Sequence, residues 1–507
     1  MEKPTEKIII LDFGSQYTHL IARRMRELGV HTLVYPYNVN ANKLSKIKGI
    51  VLSGSPKSVY DTDAPFPDKK IFELNIPILG ICYGLQIIGK IFGAKVALSK
   101  AREYGEMEFI SDNDPIFSGI SPPTTVWMSH GDRLTELPVG FKVIGRTENS
   151  EFAAIKYKNI YGIQFHPEVT HTKEGKKILE NFLYRVCKVK GDWTASSFIE
   201  KARNEIISKC KAGKSVLAYS GGVDSTVCSI IAKEELKDEF IPIFVNTGLM
   251  REGEAEEIRN LSDELNLKVK IIDEKRRFLK ILKNVVNPEK KRIIIGREFI
   301  KIFEGEAARL NARYLIQGTL YPDRIESVSD VGPSEMIKTH HNVGAIPEDL
   351  ELEIVEPLKD FFKDEVRKIA KLLKIPEKFY KRHPFPGPGL AVRIMGEVTE
   401  ERLEILKKAD KIYIETLKEL GIYDSIWQAF TVFIPIKTVG VMGDKRTYGN
   451  LIAIRAVDSE DGMTADWHNF KKENLNLIVR RILNEVYGVN RVVYDVTSKP
   501  PSTIEWE

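Results

Sequence analysis

Short apolar runs alternate with amphipathic stretches along the first 190 residues. Residues 7–11, 32–35, 49–52 and 78–81 are β-branched or apolar over four to five positions and read as buried strands. Residues 17–28 and 85–92 carry apolar positions at helical spacing between them. A strand that alternates with a helix predicts a doubly wound parallel sheet, whose sites lie at the carboxyl ends of the strands. After a short linker (188–197) and an amphipathic helix (193–210), the alternation resumes. Strands are expected at 216–219, 241–245, 268–272 and 314–317, with a helix at 223–236 and a Glu-rich one from 252. Residues 384–390, PFPGPGL, are rigid and rich in Pro and Gly, and predict a boundary. Beyond them the pattern is a helix (400–420), strands near 431–436, 438–442 and 450–457, a helix (471–487) and a last strand (491–496). The fold class is therefore α/β, with three domains at 1–190, 191–385 and 386–507. Two are doubly wound parallel-sheet domains and the third is a small α+β domain.

Composition narrows this. Hydrophobic residues make up 43% and charged residues 29% of 507 positions, as in ordinary soluble chains with sizeable cores. A net charge of +5 gives no electrostatic case for nucleic acid. No run of 18 apolar residues predicts a membrane span, and the opening MEKPTEKIIILDF runs straight into a strand instead of a signal peptide. The four cysteines lack CxxC spacing, which argues against a zinc site or a disulfide framework. A cytoplasmic enzyme is the expectation.

The chemistry centres on KSVLAYSGGVDST at 214–226. Ser220-Gly221-Gly222-Val223-Asp224-Ser225-Thr226 joins a strand to a helix. Its glycines let the backbone approach a ligand, and the helix start supplies free N–H groups that attract an anion. Ser220, Ser225 and Thr226 add hydroxyls, and Asp224 is placed to hold a cation. The spacing is not that of a Walker loop. The bland alternative is a Gly-Gly turn into a capped helix. The stretch resembles the pyrophosphate loop of the ATP pyrophosphatases, which bind ATP, adenylate a substrate and release pyrophosphate. Residues 246–251, NTGLMR, follow the next strand and should face the same cleft.

A second constellation lies in the first segment. Gly80-Ile81-Cys82-Tyr83-Gly84 has the small-X-nucleophile-X-small pattern of a strained strand-to-helix elbow. A helix start there lowers a thiol pKa, and the Tyr83 N–H can face an oxyanion. Taken alone, Cys82 could equally be a buried structural thiol. His166 and Glu168, two apart on an extended segment, share one side, so the carboxylate can orient the imidazole towards Cys82. With LDFGSQYTHLIARRMRELGV, VLSGSPKSVY, ILGICYGLQIIGK, WMSHGDRL and GIQFHPEVTHT, the segment resembles the class I glutamine amidotransferases. The resemblance implies Cys82 as nucleophile, His166 as base and Glu168 as its orienter, hydrolysing glutamine to ammonia. It also implies an oxyanion donor at Ser55, where the family usually has Gly.

Residues 321–342 form a long polar stretch with Asp323, Glu326 and Lys338, which reads as a lid or as a solvated loop. The tail SKPPSTIEWE is unlike a fraying terminus. Arg491 and Lys499 suit a phosphate ester, and Glu505 a base or ribose. Together with VNTGLMR, QGTLYPDRIES, IKTHHNVG, HPFPGPGLAVRI, KTVGVMGDKRTY and DGMTADW, the whole chain resembles the GMP synthases. That family joins an amidotransferase to an adenine-nucleotide alpha-hydrolase-like ATP pyrophosphatase and a C-terminal dimerisation domain. The resemblance implies glutamine, xanthosine monophosphate (XMP) and ATP as substrates, Mg2+ on Asp224, and a homodimer. It further implies adenylation by Asp323, Glu326 and Lys338, and XMP held by Arg251, Arg491, Lys499, Ile504 and Glu505. An NAD synthetase or a tRNA-modifying ATP pyrophosphatase would share the phosphate loop but lack this tail, and a non-enzymatic binder would have lost the nucleophile.

Overall fold

The structure is a computed structural model that describes residues 6–44, 46–137, 139–321, 352–442, 445–459 and 464–507. The chain divides into two compact units, 1–197 and 198–507.

In the first unit, β1 (Lys7–Asp12), α1 (Thr18–Glu27), β2 (His31–Pro36), β3 (Ile47–Leu52), β4 (Ile78–Ile81) and α2 (Tyr83–Ile91) follow the anticipated alternation. β4 and the inner residues of β1 are buried, as expected of strands covered on two faces. The sheet then continues in a way the apolar pattern did not announce. β5 (Lys95–Ser111), β6 (Thr124–Glu136), β7 (Lys142–Thr147), β8 (Ala154–Tyr157) and β9 (Ile160–Ile163) precede α3 (Gly175–Asn181). The nine strands run in the order β2-β1-β3-β4-β9-β8-β7-β5-β6. The first five pair in parallel, and the rest are antiparallel. β6 buries every other residue through most of its length, the mark of a half-exposed sheet. The parallel strands place the ends of β1, β3, β4 and β9 along one edge of the sheet.

The division between the units falls inside α4 (Ala195–Lys209), and β10 (Lys214–Ala218), α5 (Val223–Leu236), β11 (Phe240–Asn246) and α6 (Glu254–Glu264) follow in the second unit. β12 (Lys270–Asp273), α7 (Lys275–Ile281), α8 (Pro288–Arg309), β13 (Ala312–Ile316), β14 (Glu353–Val355), α9 (Lys363–Leu372) and α10 (Glu377–Tyr380) follow. Its five-stranded sheet is wholly parallel, in the order β12-β11-β10-β13-β14. The chain starts in the middle at β10, winds outward to β12 and then returns to the far side. The topological switch thus lies at the end of β10, where the phosphate loop stands.

The remainder is α11 (Glu400–Glu419), β15 (Gln428–Met442), β16 (Lys445–Asp458), β17 (Asp466–Trp467), α12 (Lys472–Glu485) and β18 (Val489–Tyr494). The strands expected at 431–436 and 438–442 are one strand, β15, whose register with β16 skips between Ile434 and Lys437. Pro435 lies in that gap, where it has no N–H to give to a ladder. One core runs from Val216, Ile243 and Val245 through Leu390 and Leu406 to Phe433, Ile452 and Ile478. The Pro-rich segment at 384–390 is therefore packed inside this unit. Leu390 N–H donates to the Leu249 carbonyl at 2.7 Å. Gly389 has φ +64°, and a Cβ there would meet that same oxygen at 2.3 Å.

His383 at the start of this segment is buried, stacked on Tyr423 at 3.8 Å. Its Nδ1 accepts the Ala429 N–H (3.1 Å), which leaves Nε2–H to donate to the Tyr423 carbonyl (3.0 Å). Burial, assisted by the nearby Arg251 charge, lowers its pKa to about 4. The unfolded chain takes up this proton near pH 6.5, so the contribution is complete above that value and drains away as pH falls towards 4. The loss is on the order of 3 kcal/mol. Thermal midpoints of the wild type should therefore fall more steeply than those of His383→Gln between pH 6.5 and 4.

Candidate active sites

Cys82 occupies the turn from β4 into α2 with φ 54° and ψ −103°, a strained conformation for a residue with a side chain. The flanking glycines explain how the elbow closes. A Cβ on Gly80 would stand 2.5 Å from the Gly84 backbone, and one on Gly84 would stand 2.4 Å from the Leu52 carbonyl. The Cys82 N–H is tied to the Ile163 carbonyl at 2.8 Å, which anchors the elbow to β9.

The residues that follow β9 carry the rest. His166 is buried, and its backbone N–H donates to the Trp127 carbonyl at 3.0 Å. Its Nδ1 bonds Glu168 Oε1 at 2.7 Å, and its ring lies beside the Cys82 thiol. Burial alone would lower the imidazole pKa, but the Glu168 carboxylate and then Cys82 outweigh it and raise the pKa well above the ordinary value. Glu168 is buried too, and its Oε2 has no hydrogen-bond partner among the described residues. The three residues singled out in the sequence thus form one chain of contacts: thiol, imidazole, carboxylate.

Tyr83 is the first residue of α2, where a backbone N–H has no acceptor within the helix. Ser55 follows Gly54, whose Cβ position is 3.5 Å from His166 Cε1. Ser55 is not among the residues with positive φ, so its backbone here needs no glycine. Residues that went unassigned in the sequence also crowd the thiol. The Ser129 carbonyl and Gln164 Nε2 each lie 3.7 Å from Sγ. Asp132 ties Ser58 Oγ (2.5 Å) to its carboxylate and Gln86 Nε2 (2.8 Å) to its carbonyl, joining the 53–61 loop, α2 and β6. WMSHGDRL holds both Ser129 and Asp132, but nothing in its pattern separates them from an ordinary strand.

In the second unit, Gly221 takes φ +74° between β10 and α5. The hydroxyls turn inward: Ser220 Oγ and Ser225 Oγ are 3.1 Å apart, and Thr226 Oγ1 donates to the Gly222 carbonyl at 2.8 Å. They brace the loop and leave the N–H groups of Val223, Asp224 and Ser225 at the helix start. Asp224 pairs through Oδ2 with Lys363 at the first position of α9, a residue the sequence reading passed over. Its Oδ1 is buried with no partner among the described residues. An acceptor oxygen left open beside an anion cradle suits Mg2+, which binds through one or two carboxylates and substrate phosphates.

Arg251, after β11, donates to Asp410 Oδ2 (2.7 Å) and the Ala429 carbonyl (3.3 Å), over the Phe385 ring. Burial opposes its charge most strongly of any one cause, but Asp410 and Glu254, with Tyr423, together outweigh it and raise its pKa. Glu505 receives two hydrogen bonds from Arg393 and one from Gln428, the residue before Ala429. Arg251 and Glu505 thus converge about Phe385 and the start of β15. Ile504 packs against Phe430, Val432 and Ala453. Lys499 is bridged to Ala465 through backbone hydrogen bonds of 3.0 and 2.7 Å. Arg491, on β18 opposite Leu451, is exposed. Asp323, Glu326 and Lys338 lie outside the described residues.

Three family models match: glutamine amidotransferase class-I over residues 9–186, NAD synthase over 196–319, and the GMP synthase C terminal domain over 415–506. The second covers the fold that carries the phosphate loop, and the third separates this chain from NAD synthetases. A protein of Thermosipho melanesiensis named GMP synthase [glutamine-hydrolyzing] is 52% identical over 510 residues, 99% of each chain. One of Aquifex aeolicus with the same name is 52% identical over 506 residues, again 99% of each. An elbow cysteine with its imidazole and carboxylate, a phosphate loop and a sealed tail all fall within these end-to-end matches, and the chain belongs to the family of glutamine-hydrolysing GMP synthases.

Proposed function

We propose that the chain makes GMP with nitrogen from glutamine by the following division of labour among its residues. Glutamine-dependent GMP synthesis consumes glutamine, XMP and ATP. The observation that carries it is the joining, on a chain matched end to end, of a hydrolytic cysteine site and an ATP-type phosphate loop. Residues 1–190 act as the amidotransferase, 191–385 as the ATP pyrophosphatase and 386–507 as the XMP-binding and dimerising part.

Cys82 Sγ attacks the carboxamide carbon of glutamine while His166 takes its proton. The backbone N–H groups of Tyr83 and Ser55 face the oxyanion. His166 returns the proton to the departing ammonia, and water then releases glutamate from the thioester. The raised imidazole pKa suits this part, because the ring must hold the proton before giving it up. Glu168 keeps Nδ1 protonated and the ring aimed.

The C2 oxygen of XMP is a poor leaving group. It attacks the α-phosphorus of ATP, pyrophosphate departs, and ammonia then displaces AMP from C2. The N–H groups at the start of α5 hold the phosphates, with Lys363 supplying positive charge beside them. Asp224 would hold Mg2+, which, when bound, offsets charge on the phosphate oxygens. Asp323, Glu326 and Lys338 serve adenylation, and Arg251, Arg491, Lys499, Ile504 and Glu505 bind XMP. Carrying both sites on one chain limits the dilution of ammonia and raises its effective concentration.

A homodimer through the C-terminal part is supported by Ile436, Val439, Val441 and Tyr448, all exposed on β15 and β16. Among the described residues no helix is long and apolar enough to cross a membrane. A cytoplasmic location fits the four free cysteines.

A coupled assay tests the reading. Purified protein with Mg-ATP, XMP and either glutamine or ammonium should give GMP, AMP and pyrophosphate in equal amounts. ADP and phosphate instead would mean that the loop has been misassigned.

A further inference from the structure

Three fully buried cations hold the end of the chain. Arg455, within β16, donates to the carbonyls of Thr497 (2.6 Å), Thr503 (3.2 Å) and Ile504 (3.4 Å). Lys291 of α8 pairs with the Glu507 carboxylate and donates to the carbonyls of Ala391 (3.1 Å) and Ile394 (2.6 Å). Between them, Arg393 takes Glu505 in a bidentate grip, Nε to Oε2 at 3.0 Å and Nη2 to Oε1 at 2.7 Å. Its guanidinium lies 4.1 Å from the Phe430 ring centroid and 5.1 Å from that of Phe385.

Stability is a poor reason for Arg393. A buried ion pair is often no better than apolar side chains of the same volume, and two phenylalanine rings would accept one. Its Nη1 is moreover buried with no acceptor among the described residues, which costs free energy. What a planar guanidinium does that an apolar side chain cannot is fix a carboxylate in position and in plane. The oxygens of Glu505 are used unequally. Oε1 accepts from both Arg393 Nη2 and Gln428 Nε2, whereas Oε2, among the described residues, accepts from Arg393 Nε alone. One acceptor direction on Oε2 stays open. The Phe385 ring that Arg393 faces also lies 5.2 Å from the Arg251 guanidinium.

We propose that Arg393 is a positioning residue for XMP, holding the Glu505 carboxylate so that Oε2 accepts an N–H or O–H of the nucleotide. The inference rests on the placing of Glu505 in the XMP site. A double-mutant cycle in the ammonia-driven reaction tests it, with Arg393→Met, Glu505→Gln and the pair. Each single variant should raise KM for XMP about tenfold or more, with KM for ATP moving less than about threefold. The double variant should be no worse than the worse single one, because both remove the same contact. Multiplying effects, or equal rises for ATP and XMP, would overturn the role of Arg393. An unchanged KM for XMP in Glu505→Gln would remove Glu505 from the site, and this inference with it. If Arg393→Met does not fold, Arg393→Lys enters the same cycle; it keeps the charge but not the fork, and a wild-type KM for XMP there also counts against the proposal.

Discussion

Cys82→Ala should cut glutamine-driven GMP formation by about 10⁴-fold or more while ammonium-driven formation continues near the wild-type rate. The size follows from chemistry. No other group in the elbow can form the thioester, and removal of a nucleophile from a set that acts together costs nearly as much as removal of the whole set. The selectivity follows from structure. Sγ touches Ser129, Gln164 and His166, all in the first unit, and its loss leaves only a small void beside them. His166→Ala should behave in the same way, since Cys82 would then have no proton acceptor. Glu168→Gln tests orientation separately. It keeps the shape next to Nδ1 but loses the charge that raises the imidazole pKa, so the acid limb of glutamine-driven activity should move to lower pH. Steady-state rates with each nitrogen source measure all of this. Loss of both activities in Cys82→Ala would refute two separable sites.

Much of this was legible before the structure, for identifiable reasons. Buried parallel strands must be apolar on both faces, so β1, β3, β4, β10 and β11 stood out as unbroken runs. The elbow was legible because two glycines four positions apart have little other use; the backbone contacts at Gly80 and Gly84 supply it. The antiparallel half of the first sheet was not legible. β5 and β6 are long and face solvent on one side, and charges such as Glu106 and Glu108 interrupt any apolar run. Lys363, Asp132 and Arg393 were missed because each acts through a partner distant in sequence: Asp224, Ser58 and Glu505. The hydroxyls of Ser220, Ser225 and Thr226 were read as phosphate donors, and here they bond within the loop. Propensity cannot separate these uses, since both place a small hydroxyl residue at a helix start.

Asp224→Ala should abolish GMP formation from glutamine and from ammonium alike, by about 10³-fold or more. Two functions would go at once. Oδ2 would no longer restrain Lys363, and the buried, unpartnered Oδ1 would no longer meet a cation brought in with the nucleotide. The loop itself should survive, because its bracing runs through Ser220, Gly222, Ser225 and Thr226 and not through the Asp224 side chain. Asp224→Asn separates charge from shape. It fills the same space, yet a neutral amide is a weak ligand for a hard divalent ion. If the open oxygen serves Mg2+, Asn should be nearly as damaging as Ala, and the Mg2+ concentration that supports half-maximal pyrophosphate release should rise steeply. If the carboxylate only steadies Lys363, Asn should keep most of the activity, with Mg2+ dependence unchanged. Ammonium-driven pyrophosphate release, titrated with Mg2+ at fixed ATP and XMP, decides between them. Unchanged turnover in Asp224→Ala would take this residue out of the ATP site altogether.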